Sequence, residues 1–343
     1  MPDLKNRFQH FFPEKYFLDF SIREINEYLT GQNWLLDAEY VQELEKPGEG
    51  NMNLVIRVKT NLRSFILKQA RPWVEKYPQI AAPVERNQVE AEYFTRISKD
   101  PVLHSYTPEL MGYDRQNFIL VYKDLGNSAD FTYVYNKGNH LKTEEIKELI
   151  GYLNSLHHLD CPTFPFNRSM RELNHEYIFE FPFIEKNGLD LNKIQSGLME
   201  ASLRYKKSKT LKRAIAELGK YYLNEGPVLI HGDYFPGSWL KSASGIKIID
   251  PEFGFKGFAE FDLGVMIAHM MMAKQNKVLI DEIISGYCPP EGFDPRLLAG
   301  FSGIEILRRI LGVAQLPLSL SLNEKKALMQ IGSGWILSGK IDL

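Results

Sequence analysis

Two cysteines in 343 residues, Cys161 and Cys288, leave this chain without the means for a disulfide framework. They lie far apart and without metal-ligand spacing, which speaks against a thiolate zinc site and fits a reducing cytoplasm. Excess charge is missing as well. The 41 basic and 43 acidic side chains give a net charge of −2, which does not suit a protein that binds nucleic acid by neutralising phosphates. Long apolar runs are absent. The most apolar stretch, LGVMIAHMMMA at 263–273, is about half a bilayer span and contains His269, so it reads as a buried core helix. The opening MPDLKNRFQHFF has no signal-peptide apolar core. No G-x-S-x-G occurs, so a serine hydrolase has little support. Repeats and low-complexity segments are not evident. What is present, 44% hydrophobic and 24% charged residues, is the composition of a globular chain, and the length suggests about two domains.

Local signals divide the chain. Ser21 and Glu24 form a capping box that opens a helix, and Gly31 ends it. NLVIRVKT and SFILKQA are strand-like and separated by NLR, which suits a hairpin. ERNQVEAEYFTRISK carries a helical stripe of Val89, Tyr93, Phe94 and Ile97. NFILVY is a continuous apolar run of the kind found in buried strands. After KDLGNS the character changes. TEEIKELIGYLNSLHHL is an amphipathic helix with acidic residues in its first turn, and helical patterns dominate to the end, interrupted by VLIHGDYFPGSW and IKIIDPEF. The boundary falls near residues 123–128.

Four pieces could carry chemistry. In EKPGEGNMNLVIRV, Gly48 and Gly50 let a backbone approach a phosphate closely, although a plain hairpin turn would look the same. Lys68 ends an apolar strand, where its ammonium could reach phosphates or simply snorkel at the surface. Glu90 borders the apolar stripe of the next helix and could pair with Lys68, whereas Glu92 falls off that stripe. The strongest piece is VLIHGDYFPGSWL followed by IKIIDPEFGF. Two apolar runs each end in an aspartate, Asp233 and Asp250, placing carboxylates at strand ends. Asp250, Glu252 and Ser238 offer the oxygen donors that Mg²⁺ prefers, which leaves Asp233 free to orient and deprotonate a hydroxyl. His231 reads as a satisfied turn histidine.

Together these pieces follow the order of the protein-kinase-like small-molecule phosphotransferases, the aminoglycoside and choline kinase superfamily. HGDYFPGS with IDPEFGF resembles the 5-methylthioribose kinase branch, which has serine five residues after the loop aspartate where most of the superfamily has asparagine. GEGNMNLVIRV, FILKQARPWV, ERNQVEAEYF and the paired-arginine helix LRRILGVAQ are similar to that branch too. The resemblance covers most of the chain. It implies an α+β, two-lobed protein-kinase-like fold: a small antiparallel-sheet N-lobe with one main helix and a larger, mostly helical C-lobe. Residues 1–123 would be the nucleotide-binding lobe with an N-terminal helical extension, and residues 124–343 the catalytic and substrate-binding lobe.

The resemblance also implies roles. Gly48, Gly50, Asn51 and Lys68 would contact ATP, and Glu90 would hold Lys68. The linker Tyr122, Lys123, Asp124 and Leu125 would bind adenine through its backbone. Asp233 would be the catalytic base. Asp250 and Glu252, with Ser238, would hold Mg²⁺ or the phosphates, and Arg308 and Arg309 would lie near the substrate. Glu305, three residues before Arg308, offers a helical ion pair as an alternative for the arginines. The implied activity is ATP- and Mg²⁺-dependent transfer of phosphate to a small-molecule hydroxyl, 5-methylthioribose or a related sugar, in the cytoplasm. No nucleic-acid or membrane partner is implied, and a homodimer is compatible. An aminoglycoside or amino alcohol acceptor on the same fold, and a non-catalytic nucleotide-binding protein, are the rival readings. The chain departs from the branch at Tyr234-Phe235-Pro236, where Leu-His-Thr is common, and at Lys123, where an acidic residue is usual. The bulkier segment is expected to reshape the sugar pocket.

Overall fold

The computed structural model describes residues 4–343 apart from Glu49. Residues 1–3, the start of the expected 1–123 segment, also lie outside the described residues. Two helices, Leu4–Phe11 and Ile22–Gly31, precede the sheet, and the Ser21 hydroxyl accepts from the Glu24 N–H at the start of the second. Five antiparallel strands follow, in the spatial order Val41–Glu45, Leu54–Thr60, Ser64–Gln69, Ile119–Lys123, Leu110–Asp114. The hairpin read from the sequence joins the second and third, with Val55 opposite Lys68.

Strand alternation divides the sheet's residues between two cores. Leu54, Ile56, Val58, Phe65, Leu67, Ile119 and Val121 pack with Leu18, Ile25 and Leu29 of the N-terminal segment. The intervening residues point the other way: Leu120 and Tyr122 join Phe94 and Ile97 of the helix Arg86–Ile97 in the main core. Lys68 follows Leu67, so period two turns it to the side of that helix and of the C-terminal half.

Beyond Lys123 the chain is mostly helical. Thr143–His157, Ala259–Met272, Pro295–Leu311 and Leu322–Ser338 supply a large share of the main core. The run 263–273 lies within or just past the almost wholly buried helix Ala259–Met272 and includes His269, as its composition suggested. Short strands carry the loops of interest. Val228–Ile230 pairs with Phe255–Gly257, and Trp239–Ser242 pairs with both Gly245–Ile248 and Ala129–Asp130. The fold is the expected α+β arrangement, an antiparallel sheet with its helix beside a helical C-terminal half. Among the described residues no helix is long and apolar enough to cross a membrane.

Candidate active site

The cleft between sheet and helical half encloses about 1060 Å³, its open mouth included. Gly48, Gly50, Lys68, Glu90, Tyr122, Lys123, Asp124, Leu125 and Asp250 all line it. Lys68 is buried and its ammonium lies 2.7 Å from Glu90 and 2.5 Å from Asp250. Glu90 accepts a second bond, 2.7 Å, from the Tyr122 hydroxyl. Burial pushes the Glu90 carboxyl up while Lys68 pulls it down. Burial works against the Lys68 charge, but Asp250 and Glu90 outweigh it and hold the ammonium protonated. Glu92, the rejected candidate, pairs with Arg96 at 2.6 Å on the helix surface.

The His-Gly-Asp loop is fixed by buried hydrogen bonds. Asp262, in the first turn of the apolar helix, accepts the backbone N–H of His231 at 2.6 Å and of Gly232 at 2.9 Å. The His231 ring lies 2.9 Å from the Ile249 carbonyl through Nε2, while Nδ1 faces the Asp233 N–H at 3.3 Å. That pattern requires the neutral Nε2–H tautomer, and burial lowers the imidazole's basicity to match. The histidine therefore has the structural role expected of it, and it joins the loop to the strand that delivers Asp250. Gly232 has φ +83°, and a Cβ there would lie 2.3 Å from the Phe253 carbonyl oxygen. Asp250 itself is left-handed, φ +61°, a conformation costly for a residue with a Cβ and typical of functional positions. Its side chain is 46% exposed, so the carboxylate is open to the cleft.

Arg308 and Arg309 converge on Asp233. A terminal nitrogen of Arg309 lies 3.2 Å from Asp233 Oδ1 and one of Arg308 lies 3.7 Å away. Burial raises the Asp233 carboxyl above its ordinary range, and the two arginines offset part of that. The ion pair weighed as an alternative also forms: Glu305 accepts from Nε of Arg308 at 2.5 Å and of Arg309 at 2.7 Å. The arginines thus make the helical ion pair and also reach Asp233.

Several expected residues stand elsewhere than the sequence suggested. Of the three oxygen donors proposed for Mg²⁺, only Asp250 lines the cleft. Glu252 is buried, 3.1 Å from Arg86 and accepting from Asn53 Nδ2 at 2.8 Å. The Ser238 hydroxyl donates to the Asp233 carbonyl at 2.8 Å and closes the loop on itself. Asn51 is exposed on the glycine loop, and its carbonyl accepts from the Lys76 N–H at 3.0 Å. Tyr234 and Pro236 are buried, Tyr234 stacking on Tyr152, so only Phe235 of the bulky segment faces the arginines, its ring 4.7 Å from the Arg309 guanidinium. Lys123 is exposed and pairs with Glu109 at 3.3 Å. Asn53, Arg86 and Asp262 were not singled out in the sequence. The only signals for them were a carboxylate at the head of an apolar helix and an arginine at the head of a half-buried one. Among the described residues no cluster of three or more histidine, cysteine or acidic side chains is arranged to hold a metal ion.

Comparison with known proteins decides the family. The model of the phosphotransferase enzyme family matches residues 43–301. The chain belongs to this family. Its sequence is 29% identical over 249 residues to a protein named methylthioribose kinase from Exiguobacterium sibiricum, covering 67% of this chain and 61% of that protein. It therefore spans less than two thirds of that relative's length. A Bacillus mycoides protein of the same name is 25% identical over 324 residues, 78% of each chain. The phosphotransferase fold is similar to that of a spectinomycin phosphotransferase solved with ADP and spectinomycin, with a TM-score of 0.52, 13% identity, and 94% of this chain and 99% of that one covered. Within the family frame, residues 43–301 include the glycine loop, Lys68, Glu90, Asp233 and Asp250, while Arg308 and Arg309 follow just outside the matched segment.

Proposed function

We propose that this phosphotransferase is an ATP-dependent kinase that phosphorylates a hydroxyl of a small metabolite, and that the acceptor is 5-methylthioribose or a closely related sugar. The observation that carries this reading is the Asp233 carboxylate held against Arg308 and Arg309. The loop bearing Asp233 is bonded to the strand whose end, Asp250, meets Lys68. Two curated relatives bearing the name methylthioribose kinase support the choice of sugar.

In this reading Lys68 neutralises phosphate charge and Glu90 fixes its position. Tyr122 to Leu125 offer the adenine their backbone. Asp250 is the exposed oxygen donor suited to Mg²⁺, which supplies charge neutralisation at the phosphates when bound. Glu252 supports the site through Arg86 and Asn53. Asp233 orients the acceptor hydroxyl and takes its proton as the new oxygen–phosphorus bond forms and ADP departs. The Ser238 hydroxyl keeps the Asp233 backbone in place. Two guanidiniums beside the base repel an ammonium group, which disfavours an amino alcohol or aminoglycoside acceptor.

Screening sugars, amino alcohols and aminoglycosides by ADP release tests the reading. Methylthioribose is expected to be turned over, and Asp233→Asn to cost about 10²–10⁴-fold in rate. Turnover of an aminoglycoside with methylthioribose inert would overturn the substrate. Near-normal turnover by Asp233→Asn would remove Asp233 from the chemistry.

A further inference from the structure

Behind the arginine pair lies a buried polar array that the chemistry above does not use. Glu305 is 1% exposed and carries three donors: Nε of Arg308, Nε of Arg309 and, at 3.0 Å, Nε2 of His269. The other ring nitrogen of His269, Nδ1, meets the Tyr135 hydroxyl at 2.5 Å. Both His269 and Tyr135 are buried. We propose that His269 and Tyr135 are positioning residues for the acceptor site: through Glu305 they fix the two guanidiniums that face Asp233.

The hydrogen-bond directions are determined. Arg308 and Arg309 hold Glu305 ionised, well below the usual carboxylate range although burial pushes it up, so it can only accept. His269 must then carry its proton on Nε2. Its Nδ1 is a lone pair, and the Tyr135 O–H donates to it. Burial drives the imidazole's pKa down to about 4, which keeps the ring neutral. The buried set is therefore charge-balanced: two arginines against Glu305 and Asp233. A free imidazole has two tautomers, and the wrong one would turn a lone pair toward the Glu305 carboxylate. Glu305, which can only accept, removes that choice, and the Tyr135 O–H satisfies the lone pair left on Nδ1.

Geometry makes the array a setting for the arginines rather than general packing. Both Nε–H groups are committed to one carboxylate, which fixes each guanidinium's plane and leaves its outer edge toward Asp233. Phe235 covers the same group, 4.7 Å from the Arg309 guanidinium and 5.1 Å from the His269 ring. Tyr135 ends the turn Phe131–Tyr135, which directly follows Asp130 at the rim of the nucleotide cleft. The array thus joins that rim to the acceptor side of Asp233.

The test uses three variants of the full chain: His269→Gln, which retains an N–H donor for Glu305, His269→Phe, which does not, and Tyr135→Phe, which removes a single oxygen. The first readout needs no acceptor: hydrogen exchange of the arginine Nε–H groups by ¹⁵N NMR. Protected signals of Arg308 and Arg309 are expected in wild type and in His269→Gln, and exchange at least about tenfold faster in His269→Phe and Tyr135→Phe, the scale of one lost bond to a charged group. The second readout rests on the proposed function: KM for methylthioribose rises about tenfold in His269→Phe while kcat and KM for ATP change less than about threefold. Unchanged arginine exchange in both His269→Phe and Tyr135→Phe overturns the proposal, and so does a His269→Gln variant that behaves like His269→Phe. If His269→Phe does not fold, Tyr135→Phe decides by the same exchange measurement. Methylthioribose inert with wild-type protein would sink the assigned acceptor and leave the exchange result to judge the array.

Discussion

Replacing Asp262 with alanine should unseat the His-Gly-Asp loop while leaving Asp233 itself unchanged. Its carboxylate is wholly buried and accepts two main-chain N–H groups, from His231 and Gly232, with His157 Nε2 3.4 Å away. Alanine leaves two buried donors with no partner. Each unsatisfied donor costs about 1–3 kcal/mol, so the loss is about 2–6 kcal/mol against a total stability on the order of 5–15. The urea midpoint should fall by about 1–2 M. Relaxation of the loop moves Asp233, and a displacement near 1 Å costs about a hundredfold in rate. Asp262→Asn keeps one accepting oxygen but turns an amide N–H₂ toward the second donor, so it should fall between alanine and wild type in both measurements. Urea unfolding followed by circular dichroism, with ADP release on the folded protein, checks both. An alanine variant that unfolds within about 0.5 M of wild type and keeps its rate would refute the claim that Asp262 holds the loop.

Three further outcomes follow from the site. Gly232→Ala forces a Cβ to 2.3 Å from the Phe253 carbonyl oxygen at φ +83°, so it should destabilise by about 2 kcal/mol or more, read as a lowered melting temperature. Lys68→Met leaves Glu90 buried without its cation and Asp250 without its partner. ATP affinity measured by calorimetry should collapse, and stability should fall by about 3 kcal/mol, the lower end for a broken buried pair because Asp250 is half exposed. Asp233 gives a pH signature. Its folded pKa is raised above the unfolded value, so ionisation costs stability, and that cost is fully present once the pH exceeds the folded pKa. Relative to Asp233→Asn, wild type should therefore lose stability as pH rises from the unfolded carboxylate range near 4 through the higher folded pKa, with no further change in the difference below about 4. Urea midpoints from pH 3 to 8 that run parallel would contradict this.

The parts legible in the sequence were those with local signatures. Ser21 with Glu24 announced a helix start, and the alternation around Lys68 announced its strand. The apolar stripe of the next helix distinguished Glu90 from Glu92, because facing is a matter of period. The His-Gly-Asp loop could be read because its glycine, its apolar strand and its aspartate are contiguous. The unread parts depend on residues brought together from far apart. Tyr135, His269 and Glu305 come from a turn and two helices, and nothing local to any of them signals the others. In the glycine loop, Asn51 and Asn53 are equivalent by composition. Only the path of the chain puts Asn53 under the sheet against Glu252. Glu252 itself looked like a metal ligand because it follows Asp250 by two, but the left-handed turn at Asp250 sends the two carboxylates to different neighbours.

That divergence matters to anyone recombining this protein with a relative. Asn53, Arg86 and Glu252 share one bonded cluster although the first and last are 199 positions apart. A chimera crossing over in the linker would take Asn53 and Arg86 from one parent and Glu252 from the other. Unless both parents carry the same trio, such a hybrid inherits a buried charge with no counterpart, and the failure would surface as insoluble product rather than as a slow enzyme.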